Sequence, residues 1–427
     1  MRYFLPDSQD LVDPSFDFVT EKRARTRLRQ RDDRYAHEVF REPAFDGILV
    51  SKGIVDGFGA SGGRYTMAQR QRLFRTGVRA FFRLPEAGLP VMGDCGAFTY
   101  VKEPEPPYTV DDVIAFYVDC GFDLGISVDH VILAYDASLD ESDAVPDDLR
   151  QRQEITLTLA RAFLETSRRQ KVPFIPLGVA QGWSPQSYTA SVAELQRIGF
   201  DYVAVGGMVP LKTHEILAIL QGIETVRLPR TQLHLLGVTR TERVREFAAL
   251  GVTSFDSTSP LRQAFKDDRD NYYTLDRTYV ALRVPQVEGN PGLQRRIASG
   301  AVSQDVARRC EKTCLALLDD FARGRARLES VLDALLEYER LYDPRGRGHE
   351  AAYRETLEAQ PWELCPCDIC KAIGHHVILF RGAERNRRRG FHNVWTFYRR
   401  LQRALPKTAP AQARLDRVAT SATGTDS

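Results

Sequence analysis

The sequence predicts a (β/α)8 barrel that carries a helical insertion and a metal-binding subdomain. Three observations lead there. From about residue 47 to 258, short apolar segments alternate with longer stretches of helical spacing, the pattern of βα units built on a parallel sheet. No GxGxxG turn follows the first strand directly, which favours a closed barrel over a doubly wound sheet. Polar and small residues gather where the apolar segments end, at Asp94-Cys95-Gly96, Asp129-His130, Gln181-Gly182, Gly206-Gly207, Thr239-Arg240 and Asp256-Ser257. Barrel active sites are assembled from strand ends and the loops after them.

In chain order, residues 1–46 read as a basic leader, whose stretch 21–34 holds seven basic and three acidic side chains. The barrel is expected over 47–295. Its strands are read at GILVS (47–51), LPVMGD (89–94), LGISVDHVI (124–132), VPFIPLGVAQ (172–181), YVAVGG (202–207), LHLLGVT (233–239) and VTSFDS (252–257). Between them lie helical patterns such as VDDVIAFYVDCG, DLRQRQEITLTLARAFLETSRRQ and RTERVREFAALG. Residues 296–390 read as the helical insertion and metal-binding subdomain, ending in an Arg-rich loop. The segment FHNVWTFYRRLQRAL (391–405) is amphipathic and reads as a last helix against the barrel. The tail 406–427, rich in Thr, Ala and Ser and without periodicity, reads as disordered.

Composition bounds the function. The chain has 427 residues, 43% hydrophobic and 27% charged, an ordinary globular balance that excludes disorder throughout, collagen and a coiled-coil rod. No apolar run approaches the roughly 18 residues of a membrane helix, and the start lacks a signal-peptide pattern. A cytoplasmic location without a membrane partner is therefore expected. A net charge of +2 does not mark a nucleic-acid binder, but residues 381–427 hold eleven basic and three acidic side chains. Such a patch suits a phosphate track, whose counterions it would release.

Seven cysteines in a chain with no export signal argue against a disulfide framework. CPCDIC brings Cys365, Cys367 and Cys370 within six residues, a thiol set suited to a soft tetrahedral ion, most simply Zn²⁺. His392 is preferred as the fourth ligand, because it could pin the last helix to the cysteine knuckle; His375 and His376 are the alternatives. Four protein ligands leave no open position, so this zinc is expected to be structural. Cys120, Cys310 and Cys314 read as packing residues.

Asp94 and Asp256 each end an apolar strand. A barrel brings distant strand ends close, so two carboxylates can flank one reacting bond. In glycosyl transfer with retention, one carboxylate attacks the anomeric carbon and the other moves the proton.

With these residues in view, the sequence resembles the tRNA-guanine transglycosylase superfamily, whose members exchange guanine in nucleic acid for a 7-deazaguanine. The resemblance runs in order through GDCGAF (93–98), SVDH (127–130), AQGW (180–183), VAVGG (203–207), HLLGV (234–238) and SFDSTSPLR (254–262). CPCDIC and the later His392-Asn393 resemble the family's zinc signature. The resemblance implies that Asp256 is the nucleophile at C1′ and Asp94 the general acid/base. It implies that Phe98 stacks on the base, that Asp129 binds its Watson–Crick edge, and that Gln181 with the Gly206-Gly207 backbone holds its carbonyl side. Arg262 is expected near a phosphate. Arg385, Arg387, Arg388 and Arg389 of the Arg-rich loop are expected to add phosphate contacts.

The chain departs from the tRNA enzymes at Ala97, Thr99, Trp183 and Gln263-Ala264-Phe265, and it adds a leader and a long helical insertion. With the FDGILVS opening (45–51), these features look more like the DNA-modifying branch. Members of that branch place a base such as preQ0 into DNA and are associated with an ATPase partner. The expected function is therefore a DNA-guanine transglycosylase. The rivals are a tRNA-guanine transglycosylase and a non-catalytic nucleic-acid-binding module on the same scaffold.

Overall fold

A computed structural model describes residues 1–57, 63–85, 88–141, 144–266, 269–346 and 348–405. Eight parallel strands close into a barrel in chain order: β1 (Arg2–Pro6), β2 (Gly47–Ser51), β3 (Val91–Asp94), β4 (Leu124–Ile126), β5 (Ile175–Ala180), β6 (Tyr202–Val205), β7 (Gln232–Leu235) and β8 (Val252–Asp256). Six strands fall inside the expected segments, and β7 begins one residue before its own. The eighth corrects the expected boundary at residue 47: the barrel begins at Arg2, inside the supposed leader. β1 closes the ring by pairing with β2 and β8, with Phe4 opposite both Gly47 and Asp256.

Side chains fill the barrel as a packed interior of Phe4, Leu49, Met92, Leu124, Ile126, Leu177, Val179, Tyr202 and Ala204. A larger apolar layer lies between the strands and the surrounding helices. The helices start where capping predicts. Thr109 accepts from the Asp112 N–H at the head of helix Val110–Cys120, and Ser184 with Pro185 opens helix Pro185–Ile198.

After the barrel come the expected helices, Pro291–Ala298, Gln304–Ala322, Leu328–Tyr342 and Glu350–Ala359. A short parallel pair, Leu282–Arg283 with Leu379–Phe380, ties this region to the cysteine knuckle. The last helix runs Gly382–Ala404 and packs along helix Ser259–Lys266, which follows the Asp256 strand. The segment read as an Arg-rich loop is therefore the first half of that helix. The tail read as disordered, 406–427, lies outside the described residues.

The former leader supplies partners for Arg385, Arg387 and Arg388. Arg385 pairs with Glu21 and donates to the Phe18 carbonyl. Arg388 pairs with Glu384 at 2.6 Å and donates to the Asp13 carbonyl at 2.6 Å. Arg389 is wholly buried and donates to the carbonyls of Leu379 and Ala264. Arg387 is partly exposed, 3.6 Å from Asp10. The expectation that Arg385, Arg388 and Arg389 meet phosphates is thus corrected: buried guanidiniums already paired with acids and carbonyls have no surface to offer. Arg27 of the leader is likewise turned inward, onto Asp13, and the half-exposed Arg23 also pairs with Asp13.

Candidate active site

The C-terminal ends of the strands gather an acidic cluster. Asp94 ends β3 and lies in register with Ser51 at the end of β2; Asp256 ends β8; Asp129 follows β4. Burial, then the charges of Asp129 and Asp256, push the Asp94 carboxyl up to about 7, against hydrogen bonds from Gly96 and Ser51. The charges of Asp129 and Asp256 both reach Asp94, so the two predicted carboxylates share one electrostatic neighbourhood at the same end of the barrel.

Asp129 is buried, and both its oxygens are held. Gln181 Nε2 donates to Oδ2 at 2.7 Å, and the Cys95 thiol donates to Oδ1 at 3.1 Å. Burial raises the Asp129 carboxyl to about 6, with these two bonds opposing. Burial and the charge of Asp129 also push the Cys95 thiol well above its ordinary range, so it remains a donor. The Tyr100 hydroxyl lies 3.1 Å from the Cys95 sulfur and from the Asp129 carbonyl.

Gln181 Oε1 accepts from the Ile132 N–H at 3.2 Å. Gly206 and Gly207 pack against this amide so closely that side chains cannot be added. A Cβ on Gly206 would stand 2.2 Å from Gln181 Nε2, and one on Gly207 would stand 2.4 Å from the Ile132 carbonyl. The two glycines therefore let β6 brace the group that orients Asp129. Phe98, in the turn after Asp94, is 51% exposed, so the structure does not use it as core. Arg262 is exposed on the helix that follows Asp256.

Asp256 is held through one oxygen. Its Oδ1 accepts from the Gly237 N–H at 3.0 Å and lies 3.3 Å from His234 Nε2. Gly237 has φ +74, and a Cβ there would meet Val209 at 2.5 Å, so only glycine presents its amide in this way. Sequence reasoning did not single out Cys95, Gly237 or His234 as site residues. For His234 a signal existed: a histidine inside an otherwise apolar strand needs a buried partner.

A second cluster lies in the knuckle. Cys365, Cys367, Cys370 and His392 offer ligand atoms that all lie within 4.8 Å of one another. The three sulfurs stand 3.6, 3.4 and 3.4 Å from His392 Nδ1, close to the roughly 3.6 Å edge expected for a tetrahedron with metal–sulfur and metal–nitrogen bonds of about 2.3 and 2.1 Å. His392 Nε2 lies 2.7 Å from the Tyr273 carbonyl, which leaves Nδ1 as the ligand atom. Tyr272 stacks on the ring at 4.2 Å. This Cys3His set can hold a metal ion. No helix among the described residues is long and apolar enough to cross a membrane.

With this geometry in hand, the comparisons with known proteins fall into place. The family model described as queuine tRNA-ribosyltransferase matches residues 108–286. A DNA-guanine transglycosylase of Salmonella montevideo is 51% identical over 409 residues, covering 95% of this chain and 97% of that protein. Queuine tRNA-ribosyltransferases of Xanthomonas campestris pv. campestris (strain B100) and Xanthomonas axonopodis pv. citri (strain 306) are each 36% identical over 114 residues, covering 26% of this chain and 29% of theirs.

Proposed function

The chain belongs to the tRNA-guanine transglycosylase superfamily, in its DNA-guanine transglycosylase branch, and from that premise we propose that it exchanges guanine in DNA for a 7-deazaguanine base of the preQ0 type. Asp256 attacks C1′ and forms a covalent nucleotide ester, while Asp94 gives a proton to the departing guanine and takes one from the incoming base. The observation that carries this reading is the acidic cluster itself. An Asp94 carboxyl raised to about 7 by burial and by its two neighbours holds a proton near neutral pH yet releases it readily, as a general acid/base must.

The remaining residues take roles that fit their surroundings. Asp129, kept in place by Gln181 and Cys95, accepts from the amidine edge of a flipped guanine, and Gln181 with the Gly206-Gly207 backbone borders its carbonyl side. Phe98 supplies a face for stacking. Arg262, together with the exposed leader residues Arg25, Arg29 and Arg31, meets phosphates. The metal at Cys365, Cys367, Cys370 and His392 is zinc, and with four protein ligands it folds the knuckle without taking part in the chemistry.

Identity across almost the whole chain to a protein named for DNA, against a quarter of the chain for those named for tRNA, favours DNA as the polymer. Extracting a paired base costs a few kcal/mol. Because Arg385, Arg388 and Arg389 are occupied internally, an ATPase partner that opens the duplex would offset that cost. The test is to incubate the purified protein with labelled guanine and either plasmid DNA or tRNA. Label is expected in DNA alone; label in tRNA alone would support the tRNA enzyme, and no label in either would support a binding module.

A further inference from the structure

We propose that His234, held by Ser254 and Tyr202, is a positioning residue that decides which oxygen of Asp256 attacks the sugar; this rests on the reading of Asp256 as the nucleophile. His234 lies on β7 in register with Ser254 of β8. Its Nδ1 is 2.6 Å from Ser254 Oγ, which is in turn 2.5 Å from the Tyr202 hydroxyl on β6. Its Nε2 is 3.3 Å from Asp256 Oδ1. An ionised carboxylate only accepts, so Nε2 carries the hydrogen in that contact. With a single hydrogen on the ring, Nδ1 accepts from the Ser254 hydroxyl and the Ser254 oxygen in turn accepts from Tyr202, so the row of donors runs one way, from Tyr202 to Asp256.

Three barrel strands thus contribute one polar row to an interior that is otherwise apolar; Phe4 packs edge-on against the His234 ring. Placing hydroxyls and an imidazole there is costly unless each is bonded. His234 has no exposed surface, so it cannot meet a substrate. It acts on Asp256, whose Oδ1 already receives the Gly237 N–H and the His234 N–H, and Oδ2 is the oxygen that attacks.

In the first half-reaction an Oδ2 lone pair forms the bond to C1′ as the C1′–N9 bond breaks. The released electron pair stays on guanine, which takes its proton from Asp94. In the second, the N9 pair of the incoming base forms the new bond, its proton passes to Asp94, and the C1′–Oδ2 pair returns to the carboxylate. Donors at Oδ1 stabilise the carboxylate more than the ester, so they speed the step in which the ester breaks.

The experiment uses the full-length protein and a single-stranded guanine-containing oligodeoxynucleotide, which removes the cost of opening a duplex. Covalent adduct is trapped by denaturation and its release followed on adding preQ0. H234F is expected to slow release about 100-fold, as loss of one preorganised donor does, while the KM for the base moves by less than about threefold. H234Q, whose amide can donate to Oδ1, is expected to recover about tenfold of that loss. S254A is expected to slow release in the same direction by a smaller factor, and decides the matter if H234F does not fold. Release from H234F, or from S254A in that case, at the wild-type rate would overturn the proposal alone. Absence of any adduct with the wild-type protein would overturn the assignment of Asp256, and the proposal with it.

Discussion

Asp94→Asn is expected to slow base exchange severely and yet to stabilise the fold, by an amount that depends on pH. In the folded protein the Asp94 carboxyl titrates at about 7, because of burial and then the charges of Asp129 and Asp256, against an ordinary value of 3.8. A carboxyl raised on folding contributes stability that is complete below its unfolded value and is lost as pH climbs through its folded one. The loss runs at about 1.4 kcal/mol per pH unit and totals about 4 kcal/mol by pH 8. Asparagine has nearly the same shape, can still accept from Ser51 and Gly96, and never ionises. Between pH 5 and pH 8 its advantage over aspartate should therefore grow by about 2.6 kcal/mol. Urea unfolding of both proteins at the two pH values measures this difference directly. An advantage that stays the same at both pH values, or a variant less stable at pH 8 than at pH 5 relative to wild type, would refute the reasoning. Base exchange measured on the same samples should fall by about 10²–10⁴, the usual contribution of a general acid/base.

The same cluster predicts a bell-shaped pH profile for exchange. Burial raises the Asp129 carboxyl to about 6, and the base needs it ionised, whereas departing guanine needs Asp94 protonated, with its value of about 7. Initial rates should therefore peak between those values, with limbs that belong to the coupled set, and a flat profile up to pH 9 would contradict this. Glu21→Gln should cost about 2–3 kcal/mol at pH 7. Burial would raise the Glu21 carboxyl, but hydrogen bonds from Arg381 and Gln286 and the charges of Arg381 and Arg385 hold it at about 2. Being depressed, it contributes stability present above its unfolded value of about 4.5, so the cost should shrink as pH falls from there towards 2. Cys367→Ser should lose bound zinc, read by elemental analysis, and lower the melting temperature; full metal content in the variant would remove Cys367 from the ligand set. Arg262→Ala should weaken DNA binding and reduce the slope of log K against log salt by about 1; an unchanged slope would remove Arg262 from the phosphate contacts.

Seven strands were legible because each is an apolar run ending in small or polar residues, and the acids proposed for the site stand at or just past those ends. β1 was not, since five residues closed by Pro6 and followed by a polar stretch carry little periodicity. Arg385, Arg388 and Arg389 misled because density of charge looks like exposure. Glu21 and Asp13, the partners of Arg385 and Arg388, lie more than 360 residues away in the chain, and Arg389 is held by the Ala264 carbonyl; only the fold brings them into contact. Asp94, Asp129 and Asp256 announced themselves as acids at strand ends. His234 gave only the bare signal of a histidine in an apolar strand, because the role of a polar group inside a strand depends on what the register sets opposite, here Ser254; Cys95, just past β3, gave none, because its partner Asp129 is brought to it only by the fold.

The pairing of Arg2–Pro6 with Val252–Asp256 has a consequence for biosynthesis. During synthesis the first strand of the barrel can bond to β2 early, but its other edge must wait for about two hundred further residues to emerge. Throughout that interval the growing sheet offers an open border of unbonded amides and carbonyls, the kind of border on which chains stick to one another. Yield of the intact enzyme in cells should accordingly depend on chaperone supply during translation more than on the stability of the finished barrel.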